Sequence, residues 1–230
     1  MTRVPLYSTH IPTSTVQKVL LAAGSSVAAL LDPRRGDMVA ACGETLGLPA
    51  LRNIKQRMEQ DPVGQIILRE EPRIRNDTVD LSYLRSLPDR TLGREYCRFL
   101  DRLNTSPDQR PPVQFIDDLE VLYVMQRYRE THDLYHTVLE MPTTILGEVI
   151  VKWFEGIQLG LPMCVFGGLF GAVRLFPKQR KAYGAHYLPW IVQNARQSTF
   201  FMNIYWEKHW EQPLEVLQDK LNLIPPPVIP

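Results

Sequence analysis

Residues 117–160 read DDLEVLYVMQRYRETHDLYHTVLEMPTTILGEVIVKWFEGIQLG. Leu119, Leu122, Met125, Tyr128, His132, Tyr135, His136 and Leu139 recur at intervals of three and four, the repeat of one helix face. The spacing predicts one long helix over 117–140, with Arg127, Arg129 and Glu130 off the apolar stripe. Pro142 ends it, because proline has no N–H to extend the ladder. Thr143-Thr144 then caps a second helix over about 143–160. A link this short makes the two helices antiparallel neighbours.

Helical periodicity also dominates outward from this hairpin. A helix over 13–31 is capped at Thr13 or Ser14 and ended by Asp32-Pro33. Its run from Val19 to Leu31 is nearly apolar but shorter than the about 20 residues a bilayer span needs, so it reads as a buried helix or one lying on a membrane surface. Short helices follow over 37–46 and 49–59. Residues 61–88, with three prolines and a polar run, read as irregular. A helix over 89–103 precedes the loop TSPDQRPP at 105–112. Beyond the hairpin, 161–176 is the most apolar stretch, and its glycines suit close packing or a surface for a greasy ligand. A helix over 178–200, interrupted near Pro189, precedes one starting at Pro213. The expected architecture is all-α: a single multi-helix domain over 1–224, followed by a Pro-rich disordered tail at 225–230.

Composition narrows the function. The chain has 230 residues, 44% hydrophobic and 22% charged, the profile of a globular protein with a sizeable core. Net charge is +1, with cations scattered among acids, which gives no footprint for nucleic acid. Cys42, Cys97 and Cys164 are odd in number and far apart, which argues for buried thiols in a reducing compartment rather than disulfides or a cysteine zinc site. The start of the chain does not read as a signal peptide or an Arg-rich transit peptide.

One constellation carries chemistry. His132 and His136 stand at i and i+4, so their Cβ atoms lie roughly 5–6 Å apart on one helix face. Two imidazoles so placed reach one ion at about 2.0–2.1 Å each. Asp133 is placed to be a third ligand or an outer acceptor. Glu148 follows His136 after eleven intervening residues. Six positions down to Pro142 and six back return it to the level of the histidines. The four residues predict a divalent metal site between the two antiparallel helices. The donor set admits zinc, iron, manganese or cobalt. The spacing matches the HExxH helix of zinc hydrolases, but those use a glutamate between the histidines as general base. Asp133 is one methylene shorter, which argues against peptidase chemistry.

The string His-Asp-x-x-His, eleven residues, Glu resembles the signature of the coenzyme Q biosynthesis protein four family. WFEGIQLGLPMC (153–164), YWEKHWEQPLEVLQDKL (205–221), HIPTSTVQKVLLAAGSS (10–26) and DMVAACGETLG (37–47) resemble it as well. The resemblance implies a peripheral protein on the matrix side of the mitochondrial inner membrane, within a multi-protein complex for ubiquinone synthesis. It implies a polyprenylated aromatic substrate and metal-dependent, oxidative C1 decarboxylation of a 4-hydroxybenzoate-derived intermediate, with His132, Asp133, His136 and Glu148 as the catalytic metal site. The competing role is a non-catalytic lipid-binding scaffold that organises the complex. Exposed apolar faces would further favour a homodimer or membrane docking.

Other residues carry weaker expectations. Lys152, one turn after Glu148, is a solvated lysine or a partner for Glu148 or a substrate carboxylate. Trp190, Asn194 and Arg196 line a pocket or pack a helix end. Tyr205, Trp206, His209 and Trp210 form an interior or interface cluster. His10 and His186 receive no role.

Overall fold

The computed structural model describes residues 4–32 and 35–227. Pro33, expected to end the first helix, and residues 228–230 of the proline-rich tail lie outside that range. The described residues are all-helical and form one domain, with no β-strand among them.

The organising element is α7 (Leu119–Val138). The sequence pattern makes it two-faced, yet Arg127, Arg129 and Glu130 are buried, at 1%, 6% and 6% exposure. The reason is its central position, with α3 (Leu48–Glu59), α6 (Leu92–Leu103) and α8 (Ile145–Leu159) packed against it. Each buried charge is met by an opposite one from elsewhere in the chain. Arg127 Nη1 donates to Glu207 at 2.5 Å, Arg129 Nη1 pairs with Glu44 at 2.8 Å, and Glu130 accepts from Arg73 at 2.6 Å. Unpaired, any of these charges would cost several kcal/mol to bury.

The hairpin forms as the sequence predicts. Glu140 takes a left-handed conformation (φ 52°) just past α7, and the Met141 N–H closes back on the His136 carbonyl at 2.9 Å. Thr144 caps α8 by accepting from the Gly147 N–H. α8 then runs back along α7: Glu148 meets His136, and Glu155, two turns on, meets His132 and Tyr128.

α9 (Pro162–Gly171) lies along α8. Gly168 sits against the Trp153 ring and Gly156 against the Val165 backbone, contacts that leave no room for side chains. Gly168 of the apolar stretch thus serves close packing, while Gly167 and Gly171 of the same stretch line a cavity. α1 (Thr15–Leu31) and α2 (Gly36–Leu46) pair with each other, and both touch α9. Of the two expected caps, Thr13 and Ser14, it is Ser14 that caps α1, in a capping box with Gln17.

One expectation is corrected. The stretch 61–88 is not irregular throughout: it holds α4 (Pro62–Glu70) and α5 (Leu81–Ser86). Asp61 and Asp80 each accept N–H bonds at the start of these helices, and Pro62 sits in the first turn, where a proline costs nothing. The interruption expected near Pro189 is present, as a π turn rather than a break. α10 (Pro177–Ala182) continues through a π turn over Tyr183–Tyr187 into α11 (Leu188–Gln197), and the widened turn carries the chain past a residue with no N–H. α12 (Leu214–Lys220) closes the fold.

Trp190 and Asn194 pack rather than line a pocket. The Trp190 indole donates to the Ile224 carbonyl, and the Asn194 side chain accepts from the Ile224 N–H, which ties the C-terminal segment to α11. Trp206 is fully buried among Tyr135 and Phe201. All three cysteines are free and buried.

Gly147 tests the hairpin. A Cβ there would collide with the carbonyl oxygen of Pro142. Gly147→Ala should cost on the order of 2–3 kcal/mol of stability, read as a lower urea midpoint at unchanged slope.

Candidate metal centre

His132, His136 and Glu148 converge. One donor atom from each lies within 4.8 Å of the others. His136 Nε2 is 3.4 Å from Glu148 Oε1, and His132 Nε2 is 4.0 Å from Glu148 Oε2. The two histidines are buried, whereas the Glu148 side chain is 39% exposed to the space in front of them.

The other nitrogen of each ring is already committed. His132 Nδ1 donates to Glu155 Oε1 at 2.5 Å, and His136 Nδ1 donates to the Met141 carbonyl at 2.9 Å. An ionised carboxylate and a carbonyl can only accept, so both Nδ1 atoms carry the proton. Both Nε2 lone pairs then face Glu148. His136 Nε2 is buried and has no hydrogen-bond partner among the described residues. This is how proteins prepare histidines for a metal: one nitrogen held by an acceptor, the other left as a ligand. The cluster therefore fits a divalent cation.

Glu155 is the support that sequence reasoning missed. It is fully buried and accepts from His132, from Lys152 Nζ at 2.7 Å and from Tyr128 Oη at 3.0 Å, with the Cys164 thiol at 3.4 Å. Burial works against its charge, but Lys152 and His132 outweigh it and hold the carboxyl well below the usual range. Lys152 is likewise penalised by burial, and Glu155 more than restores its charge. Lys152 is thus neither solvated nor bonded to Glu148. Burial, reinforced by the Lys152 charge, lowers the His132 pKa and favours the neutral ring that a metal requires. Glu148 is pushed up by burial but held at about 2 by His136, His132 and Lys152, so it is ionised.

Asp133 does not join the cluster. Its carboxylate turns aside to an ion pair with Arg110, from the loop before α7. One residue round the helix from His132 is enough to aim it at that loop instead of at the histidines.

The cluster opens on a cavity of ≈ 1040 Å³. Its polar end carries Arg110, Arg129, His132, Glu148 and Lys152. The rest is lined mostly by apolar residues of α1, α2 and α9, among them Leu30, Val39, Phe166 and Phe170, with Asp32 and Arg174 as its charged members.

The family model of the coenzyme Q (ubiquinone) biosynthesis protein Coq4 matches residues 7–227. The chain belongs to the Coq4 family. It is 55% identical over 226 residues to the Caenorhabditis elegans ubiquinone biosynthesis protein coq-4, mitochondrial, covering 98% of each chain. It is 52% identical over 224 residues to the Homo sapiens COQ4 homolog, mitochondrial, covering 97% of this chain and 84% of that one. A Nostoc punctiforme crystal structure, described as a candidate ubiquinone biosynthesis protein, superposes with a TM-score of 0.69 at 22% identity over 91% of this chain and 98% of that one, a likeness of fold. Membership in Coq4 supports a function in ubiquinone biosynthesis.

Two outcomes follow for this Coq4 chain. Glu155→Gln keeps the shape but removes the charge behind His132, so metal affinity should fall about 10–100-fold by chelator competition, with helical circular dichroism unchanged. The depressed carboxyls also set an acid limit. A folded pKa below the unfolded one gives stability that is complete above the usual carboxylate value of 4.5 and withdrawn as pH falls toward about 2. Denaturation midpoints of metal-free protein should therefore start to fall below about pH 6.5, where His132 takes up a proton only on unfolding, and fall further below about 4.5, where the loss is less steep in Glu155→Gln.

Proposed function

We propose that this chain is a metal-dependent carbon–carbon lyase of ubiquinone biosynthesis. It removes the C1 carboxyl group of a polyprenylated 4-hydroxybenzoate-derived ring, with hydroxylation at the same carbon. The observation that carries the reading is the meeting of His132, His136 and Glu148 at the polar end of a large apolar-lined cavity.

Two imidazoles and one carboxylate are three protein ligands, the number that leaves a catalytic zinc open to substrate. Zinc is the ion proposed, and iron, manganese and cobalt share the donor set. When bound, the cation supplies Lewis acidity that steadies the negative charge growing on the ring as CO2 leaves. The chain does the rest. Glu155 and the Met141 carbonyl hold the imidazoles in register, and Glu148 closes the ligand set. Asp133 acts through Arg110, which it fixes at the cavity wall. The apolar walls of α1, α2 and α9 take the isoprenoid tail and exclude water. The C1–carboxyl bond breaks with its electron pair left on the ring. A proton replaces CO2 in the simple reaction; in the oxidative one a hydroxyl group does, with one water consumed, and dioxygen accepts the two electrons removed and leaves as hydrogen peroxide.

The names of its relatives support a mitochondrial site of action, which we place on the matrix side of the inner membrane. Peripheral attachment is proposed, since no helix among the described residues is long and apolar enough to cross a membrane. Its proposed partners are the other enzymes of the pathway and a second copy of itself.

One feature favours a second reading, a lipid-binding scaffold for those enzymes. Val16, Val19, Leu20, Leu31, Val173 and Phe176 leave much of α1 and the chain after α9 apolar and exposed.

The deciding experiment is elemental analysis of purified protein beside His132→Ala and Glu148→Ala, paired with product detection from a short-tailed substrate under air. One equivalent of metal, lost in both variants together with product, is expected. Stoichiometric metal with no turnover, in protein that still assembles with its partners, would leave the scaffold reading standing instead.

A further inference from the structure

Three cations face the cavity beside the histidine cluster, and each is backed by its own buried or half-buried carboxylate. Arg110 is held by Asp133, Arg129 by Glu44 and Lys152 by Glu155. The carboxylates come from three different places: Asp133 from α7 itself, Glu44 from α2 and Glu155 from α8. All three cations line the same cavity as His132 and Glu148, and none of the three backing carboxylates does. With Arg174 on the same lining, the cations outnumber its carboxylates, Glu148 and Asp32, and the three beside the histidines are fixed in place from behind.

These cations have donors to spare. Arg129 is 6% exposed, and its Nη1 is used by Glu44 and by the Pro111 carbonyl. Its Nη2 is buried and has no partner among the described residues. A guanidinium N–H left unsatisfied in a protein interior is costly, so its retention calls for an acceptor that arrives later. The Lys152 ammonium has three N–H groups and makes two bonds, to Glu155 and to the Tyr128 hydroxyl. Arg110 gives only Nη2 to Asp133 and is 38% exposed, free to present the remainder of its fork. Its charge is felt at Arg129, at His132 and at Glu148, which places it among them.

We propose that Arg110, Arg129 and Lys152 form an anion subsite that binds the carboxylate of an aromatic substrate beside the His132–His136–Glu148 cluster. The subsite stands on this geometry; the identity of the anion, a ring carboxylate, rests on the reading of the preceding section. Guanidinium groups match a planar carboxylate with paired N–H donors, and the buried setting strengthens each bond. The adjoining apolar lining then selects an acid that carries a hydrophobic tail. Glu148, on the same wall, sets a limit on the charge of the ligand, since a strongly anionic head would meet its carboxylate.

The test is direct binding, followed by tryptophan fluorescence or calorimetry, of 3-geranyl-4-hydroxybenzoate and of 2-geranylphenol, which lacks only the carboxyl group. Both are measured with metal-stripped and metal-loaded full-length protein. Wild type should prefer the acid by about tenfold or more in the stripped state. Arg110→Gln and Lys152→Met should each remove most of that preference while binding of the phenol stays at the wild-type level. Arg129→Lys, which keeps the charge opposite Glu44, should reduce the preference in folded protein. An acid preference that is present only with metal and survives both Arg110→Gln and Lys152→Met would overturn the subsite. Equal weakening of both ligands would do the same, and geranyl diphosphate binding tighter than the acid would overturn the carboxylate assignment. A preference that follows the cations in protein that never turns over supports the subsite and counts against the lyase instead.

Discussion

The buried carboxylate of Glu155 is the point on which the rest of the site depends. A charge with no exposure survives in a protein interior only where donors surround it. Here the donors are an imidazole, an ammonium and a phenol, with a thiol alongside. Each is thereby fixed in turn. The imidazole is set in the tautomer that leaves Nε2 bare, the ammonium is drawn to the cavity wall, and α7, α8 and α9 are bound to one another through polar contacts as well as apolar ones. Replacing this knot by hydrocarbon could leave the fold as stable, but it would release the orientation of His132.

Much of this was legible in the chain, because helical spacing is local information. The hairpin at 117–160, the i, i+4 histidines and the return of Glu148 follow from rise per residue and a short turn, and the structure brings these three residues together. Glu155 was equally within reach. Glu148, Lys152 and Glu155 stand at i, i+4 and i+7, one face of an otherwise apolar helix, and three charges on such a face signal a buried network. The fate of Asp133 was not legible. Its partner comes from a loop whose path no periodicity records, and a carboxylate beside a histidine looks like a ligand until a cation is shown to hold it.

The burial of α7 was hidden for a similar reason. Arg127, Arg129 and Glu130 look solvent-facing by type, and only the positions of Glu207, Glu44 and Arg73 reveal that they are neutralised inside. Sequence patterns find helices that divide oil from water; they do not find a helix whose polar face is buried by long-range pairing. The short helices at 62–70 and 81–86 escaped differently. Their prolines and aspartates read as loop material, although Asp followed by Pro is also how a helix begins.

The long reach of those pairs bears on how the chain is made. Arg127 waits for Glu207, eighty positions downstream. While the nascent chain is still short of that residue, α7 holds a guanidinium destined for the interior without its counter-charge, and the first half cannot close around it. The ordering of His132 and His136 on the same helix is thus deferred to the last part of synthesis. A ribosome-bound fragment ending before the 3₁₀ turn at Trp206–Lys208 would hold the metal-binding motif in full and yet lack the rigid frame that shapes it.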